Sequence, residues 1–236
     1  TFTLRDSKWS DGKPVTAGDF EYAFKRLLDP ATAAEYAFAA YYIKGAQEFN
    51  LGKNKDPNSV GVKAVNPKTL VITLNNPTPY FLGYLGYNCF APCRKDLVEK
   101  YKEKYATTAE TAVYNGPFVL KEWKPEQEKT FAKNQNYWNK KAIKLDEVKI
   151  LQISDTNTAL SMFENGELDF VDVPANLFSQ YQKAGKVKVF YNGATDWMKI
   201  NIRKNPAKPW LSNVNFRKAM AYAIGRKKYC ELSTKG

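Results

Sequence analysis

The chain has 236 residues, 44% hydrophobic and 25% charged, which is typical of a globular protein with one large domain or two small ones. It contains no histidine, which excludes imidazole-dependent zinc sites and Ser-His-Asp or Cys-His catalysis, and no apolar run approaches the roughly 20 residues of a membrane span. Residues 1–118 carry 15 basic and 12 acidic side chains (+3), and residues 119–236 carry 21 and 12 (+9), which gives +12 in total. Lys exceeds Arg heavily, which favours a solvated surface over a nucleic-acid or other anionic partner.

The first half of the chain opens with an alternating segment, Thr1–Arg5, that predicts a strand. Thr16 followed by Asp19 forms a capping-box pattern and predicts a helix over residues 17–28. An Ala- and Tyr-rich segment predicts a second helix over about 32–49. A strand at 69–74 and a short charged helix from Leu97 to Tyr105 follow.

The second half begins after the turn Asn115-Gly116-Pro117. Strands are predicted at 118–123, 128–134, 147–153, 168–171, 187–192 and 196–202. Helices are predicted at 156–164, capped by Ser154 or Asp155, at about 175–183, and after Ser212 or Asn213 up to Gly225. Strands and helices mix without regular alternation, so the fold class is α/β in the mixed α+β sense.

Aromatic residues are dense at Tyr36, Phe38, Tyr41 and Tyr42. Such a cluster either belongs to the core, which we favour, or lines a pocket where tyrosine supplies a ring and a hydroxyl.

Catalytic and metal-binding patterns are weak. The carboxylate pairs Glu164/Glu167 and Asp169/Asp172 are expected to be solvated surface, and no phosphate-binding or nucleophile motif is present. Cys89 and Cys93 could form a local disulfide, and two buried free thiols are at least as compatible with the pattern. We therefore expect no enzyme activity, no catalytic residue, no metal and no cofactor.

The segment from Asn192 to Trp197 interrupts an apolar strand with small and polar residues. Small side chains allow a ligand backbone to approach and pair with exposed peptide groups. A plain hairpin turn at Asn192-Gly193 explains the same residues equally well. The local sequence leaves both alternatives open.

Five ordered motifs resemble those of the peptide-binding (oligopeptide and dipeptide) solute-binding proteins of ABC transporters, family 5. Residues 9–20 match a family signature of the form W-S-D-G-x-P-V-T-A-x-D-F. The other four motifs lie at residues 115–118, 136–138, 163–169 and 216–224, although Tyr114-Asn115 departs from the Gly-Thr that often precedes Gly-Pro.

The resemblance implies a periplasmic-binding-protein-like type II fold, in which two lobes close over a ligand like a clam. Residues 1–113 resemble the extra subdomain of the first lobe, 114–192 part of its main sheet, and 193–236 the hinge crossing and the beginning of the second lobe. The chain begins at Thr1 within a strand and ends soon after an apolar helix. We therefore expect a piece of a longer chain, truncated at both ends.

The resemblance also implies an extracytoplasmic receptor that captures short peptides and delivers them to the permease of an ABC transporter. The ligand-binding residues carried over from the family are Asn192, Gly193, Ala194, Thr195, Trp197 and Tyr36. Any membrane association would come from a lipid anchor outside this segment, and we expect a monomer that binds no nucleic acid. Two alternatives remain: the same fold binding a nickel chelate, haem or sugar, and a basic module that binds single-stranded nucleic acid.

Overall fold

The computed structural model describes residues 1–190, 197–203 and 206–233. The chain divides into two compact units, Thr1–Gln152 and Ile153–Gly236. The first unit contains two separate three-stranded sheets, and the described part of the second contains helices and irregular backbone. Mixed α and β content is thus confirmed.

The first sheet consists of β1 (Phe2–Thr3), β2 (Val62–Asn66) and β3 (Thr69–Ile72), in the antiparallel order β1-β3-β2. Helix α1 (Ala17–Leu28) packs on β2 and β3 and buries Phe24 and Leu28. Together with Ile43 and Val62, these side chains form the centre of the main core. Burial of such side chains supplies most of the favourable free energy of folding.

The predicted start of α1 is confirmed. An Asp19 carboxylate oxygen accepts a hydrogen bond from the Thr16 backbone N–H at 2.8 Å and another from the Trp9 indole Nε1 at 3.3 Å. Trp9 is buried, so the first family motif works as a turn, a cap and an anchor for the helix. Its role is structural, as predicted.

The predicted helix over 32–49 is wrong. The structure has 3₁₀ turns at Pro30–Thr32 and Ala37–Ala40 and a short helix α2 (Ala46–Asn50). Ala33 and Gly45 adopt left-handed conformations with φ of 49° and 70°, which end any right-handed helix at those points. Helix propensity alone predicted a continuous helix that the backbone does not form.

Two further helices in the first unit are α3 (Phe81–Tyr84) and α4 (Lys95–Tyr101). Helix α4 continues as a 3₁₀ turn, Lys102–Lys104, so the predicted charged helix is confirmed with shifted ends. Its start is held by Arg94, whose guanidinium pairs with Asp96 and, at 2.9 Å, with Asp11. This pairing fixes α4 to the turn that precedes α1.

The second sheet consists of β4 (Phe118–Lys124), β5 (Glu128–Lys133) and β6 (Glu147–Leu151), antiparallel in that order, close to the predicted ranges. Asn134 follows β5 and is buried, with its amide donating to the Gly116 carbonyl at 2.8 Å. The Asn136 amide donates to the Ser10 carbonyl at 2.9 Å. The first contact joins the end of β5 to the segment before β4, and the second ties this sheet to the turn before α1.

The second unit contains α5 (Thr156–Glu164), α6 (Phe178–Lys183), α7 (Val214–Ala223) and α8 (Arg226–Ser233). Asp155 and Asn213 cap α5 and α7 with their side chains, and each was one of the two candidates that the sequence offered for its cap. The strands predicted at 168–171, 187–192 and 196–202 are not formed at residues 168–171, 187–190 and 197–202. A strand needs a hydrogen-bonded neighbour, and the described residues of this unit contain none.

Among the described residues, no helix combines the length and the apolar character needed to cross a membrane.

Candidate functional site

The predicted ligand-binding residues fall into two groups. Asn192, Gly193, Ala194 and Thr195 lie outside the described residues, so their predicted role stays a prediction. Trp197 lies in irregular backbone of the second unit, and 73% of its surface is exposed. An exposed indole of this kind is available to contact a ligand.

Tyr36 lies in the first unit, directly before the 3₁₀ turn Ala37–Ala40. The turn buries Ala37, Ala39 and Ala40. Small alanine side chains allow this close packing, and the larger rings of Tyr36 and Phe38 point away from it, 47% and 58% exposed. The local sequence therefore explains why Tyr36 faces solvent.

Tyr36 belongs to a chain of six aromatic rings in which each ring contacts the next. We call this surface the tyrosine ladder; in order of contact it consists of Phe38, Tyr36, Tyr87, Tyr84, Tyr42 and Tyr80. Its five centroid separations are 5.9, 5.8, 6.0, 5.5 and 5.7 Å. All lie within the 4.5–7 Å range of favourable ring pairs.

The ladder contains residues that the sequence interpretation missed. Tyr80 directly precedes α3, Tyr84 is its last residue, and Tyr87 follows it in extended backbone, at spacings of four and three residues. That spacing was a usable signal. Their proximity to Tyr36 and Tyr42 is a tertiary contact that no local pattern contains.

The predicted aromatic cluster is therefore neither a simple core nor a closed pocket. Tyr36, Phe38 and Tyr42 are exposed, so the favoured interpretation as core is wrong for these three residues. Tyr41 points inward, and its hydroxyl donates to the Asn50 side chain at 2.6 Å. The Asn50 amide in turn donates to the Leu28 carbonyl at 2.9 Å, at the end of α1.

A hydrophobic contact anchors the ladder to the core. Phe90 is buried and stacks on Phe24 of α1 at 5.1 Å between ring centroids. Its other neighbour is Tyr84 of the ladder, at 5.8 Å. One end of the contact is thus core and the other is surface, which gives the ladder a rigid base.

Two tyrosines of the ladder have raised pKa values. A hydrogen bond with Tyr42 raises the pKa of Tyr80 above its usual value. Partial burial raises the pKa of Tyr84, and the other groups that act on it are Tyr42, Cys89 and Tyr87. Raised tyrosine pKa values keep these hydroxyls protonated well above neutrality.

Two cavities lie in the first unit. A polar cleft of about 370 Å³ is lined by residues that include Ser10, Tyr114 and Asn134. An apolar cavity of about 110 Å³ is lined by residues that include Phe20, Leu85 and Phe90. The side chains of the polar cleft already hold the second sheet in place, so its polar groups have a structural task.

The two carboxylate pairs singled out in the sequence lie at the surface of the second unit. Glu164, Glu167, Asp169 and Asp172 are exposed, as predicted, and the Tyr181 hydroxyl donates to Glu164. Among the described residues, no three His, Cys, Asp or Glu side chains converge as they would to hold a metal ion.

Both cysteines of the 89–93 pair are free thiols in the structure and are partly buried. Burial raises the pKa of the Cys93 thiol to about 11. A thiol with such a pKa is almost entirely protonated at neutral pH and is a poor nucleophile.

Comparisons with known proteins agree over the whole chain. A family model described as bacterial extracellular solute-binding proteins, family 5 Middle, matches residues 1–236. The oligopeptide-binding protein OppA of Bacillus subtilis is 40% identical over 242 aligned positions, which cover 100% of this chain and 44% of that protein. The dipeptide-binding protein DppE of the same organism is 40% identical, covering 100% of this chain and 42% of that protein.

Solved structures agree with the sequence matches. Listeria monocytogenes OppA bound to peptide superposes with a TM-score of 0.86 at 33% identity, covering 98% of this chain and 45% of that chain. This chain therefore spans less than half the length of these relatives. The family match and the identities confirm the resemblance and the fold class predicted from the sequence: the chain belongs to the bacterial extracellular solute-binding proteins, family 5.

Proposed function

We propose that the protein of which this chain is part is a receptor that captures short peptides outside the cytoplasm and delivers them to an ABC transporter permease. The observation that carries the proposal is 40% identity along the entire chain to an oligopeptide-binding and a dipeptide-binding protein. The solved relative with a bound peptide supports the same ligand class. In this proposal the protein binds and releases its ligand unchanged and is not an enzyme.

The proposed ligand contacts are the six residues predicted from the sequence: Asn192, Gly193, Ala194, Thr195, Trp197 and Tyr36. Exposure of Trp197 and Tyr36 supports their availability to a ligand. Backbone groups of residues 192–195 would pair with the main chain of the peptide as an added strand does, which gives affinity without dependence on side chains.

Binding by lobe closure accounts for capture. A ligand that contacts both lobes favours the closed state only by the extra contacts that it makes there. The proposal includes the division of the chain into residues 1–113 and 114–192 of the first lobe and residues 193–236, the hinge crossing and the beginning of the second lobe. It also includes the monomeric state and a lipid anchor outside this segment.

The alternative ligands receive less support. The relatives reported above are named for oligopeptides and dipeptides, which does not favour a nickel chelate, haem, a sugar or nucleic acid.

The first test is titration calorimetry of the complete gene product with short peptides. We expect binding, and we expect Trp197→Ala to weaken it by about tenfold, because removing an aromatic hot-spot side chain that the bound peptide covers costs about 1.4 kcal/mol or more. Trp210→Ala is the matched control, since Trp210 is also an exposed tryptophan of the second unit. Failure of every peptide to bind would refute the proposal, and salt-dependent binding of an oligonucleotide would then favour the nucleic-acid alternative.

A further inference from the structure

We propose that the tyrosine ladder is a side-chain recognition surface that favours ligand peptides carrying aromatic or prolyl residues over peptides carrying acidic ones. This inference rests on the proposed peptide-binding function and adds a side-chain preference to it. Of the ladder residues, Tyr36 alone is among the predicted ligand contacts. The other five rings extend the surface away from it.

The spacing of the rings matches an extended peptide. Neighbouring ladder rings lie 5.5–6.0 Å apart. An extended chain advances about 3.3 Å per residue, so alternate side chains on one face lie roughly 6.6 Å apart. Two alternate side chains of an extended peptide are therefore spaced closely enough for each to contact one of two neighbouring rings.

The surface offers rings and hydroxyls without formal charge. Tyr80 and Tyr87 are 59% and 52% exposed, and Tyr42 contacts both Tyr80 and Tyr84 edge to face at 85° and 86°. Contact between exposed aromatic rings of this kind and another ring or a proline lowers the free energy of the complex. An isolated carboxylate placed against these rings loses water, and a neutral ring supplies no opposite charge in exchange.

The net charge of this part of the protein favours the opposite preference. These 236 residues carry +12, a charge that by itself attracts acidic peptides over long distances. A measured preference against acidic residues would therefore come from local contacts, and the ladder is the surface in the described part of the chain that combines exposed rings with continuity to Tyr36. Long-range charge and local ring contacts thus predict opposite rankings of aromatic and acidic peptides.

The test compares three pentapeptides on the complete gene product by calorimetry: alanine throughout, alanine with phenylalanine at the second and fourth positions, and alanine with glutamate at those positions. Each ring pair contributes roughly two- to tenfold in affinity. We expect the phenylalanine peptide to bind about tenfold more tightly than the alanine peptide, and the glutamate peptide to bind most weakly.

The variants separate recognition from folding. In the double variant Tyr80→Ala with Tyr87→Ala, we expect the phenylalanine peptide to lose most of its advantage while affinity for the alanine peptide changes less than twofold. Tyr80→Phe with Tyr87→Phe keeps the rings and should keep the preference. Tyr222→Ala is the control, because Tyr222 is an 86% exposed tyrosine of α7, outside the ladder.

The outcomes are distinguishable. If the alanine peptide binds but the three peptides bind equally, or if the double Ala variant weakens all of them equally, the ladder inference is wrong and the proposed function stands. If the double Ala variant lowers the thermal midpoint strongly without changing selectivity, the rings are covered by another part of the protein and the inference is also wrong. If no peptide binds, the proposed function itself fails.

Discussion

Gly45 offers a direct test of a closely packed backbone position that only glycine adopts without strain. Its φ is +70°, and a Cβ added there would lie 2.3 Å from the Ser59 carbonyl oxygen. Gly45→Ala therefore combines a left-handed backbone, which costs about 1–2 kcal/mol, with a collision against a backbone atom, which adds roughly 1–3 kcal/mol. We expect the free energy of unfolding to fall by about 2–5 kcal/mol.

Gly52 supplies the matched control. It has the same φ of +70°, but a Cβ there would meet no atom within 4 Å. Gly52→Ala should therefore lose only the left-handed cost of about 1–2 kcal/mol. Urea denaturation of both variants measures the difference, which isolates the close approach of Gly45 to Ser59.

Hydrogen bonds beside Gly45 explain why it is held so close to the Ser59 carbonyl. The preceding residue, Lys44, is held on both sides: its N–H donates to the Thr73 carbonyl at 2.9 Å, and its carbonyl accepts from the Gly61 N–H at 2.7 Å. The chain cannot move outward without breaking these bonds. Equal losses in Gly45→Ala and Gly52→Ala would show that the segment adjusts freely and that this reasoning is wrong.

Two further predictions concern the core and the ion pairs. Leu28 is fully buried, so Leu28→Ala should lower the free energy of unfolding by about 3–5 kcal/mol in urea denaturation. Leu51 is exposed, so Leu51→Ala should lower it by less than about 0.5 kcal/mol. Similar losses in the two variants would contradict the described core. The Arg94 guanidinium lowers the pKa of Asp96 to about 2, so this pair stabilises the fold above the ordinary carboxyl pKa of 3.8 and loses that effect as the pH falls through about 2. Thermal midpoints should therefore fall less between pH 4 and pH 2 in Asp96→Asn than in the wild type, and parallel profiles would refute the assignment.

Local signals predicted the elements that local interactions form. The cap at Thr16 and Asp19 and the apolar spacing that follows identified α1 to the residue, because both signals act within a few residues of each other. The helix predicted over about 32–49 was wrong because tertiary contacts, and not local ones, determine the backbone around Ala33 and Gly45. The alanines of this segment favour a helix, but tertiary packing selects two left-handed residues and a 3₁₀ turn.

The candidate site was predictable only in part. Family resemblance identified Trp197 and Tyr36 as positions of interest, and both are exposed. The partnership of Tyr36 with Tyr87 joins residues 51 positions apart and depends on how α3 packs against the core. No pattern along the sequence encodes that contact, which is why the ladder emerged only from the structure.

The ladder combines an exposed apolar surface with a rigid base, and the two features act together in recognition. Phe90 contacts both Tyr84 and the core residue Phe24. The hydrogen bond between Tyr41 and Asn50 holds the backbone next to Tyr42. A tyrosine ring has only two side-chain torsions, so rings held in this way lose little conformational entropy when a ligand covers them. Substitutions in the base should therefore weaken the binding of all peptides by loosening the rings, whereas substitutions of the rings themselves should change which peptide is preferred.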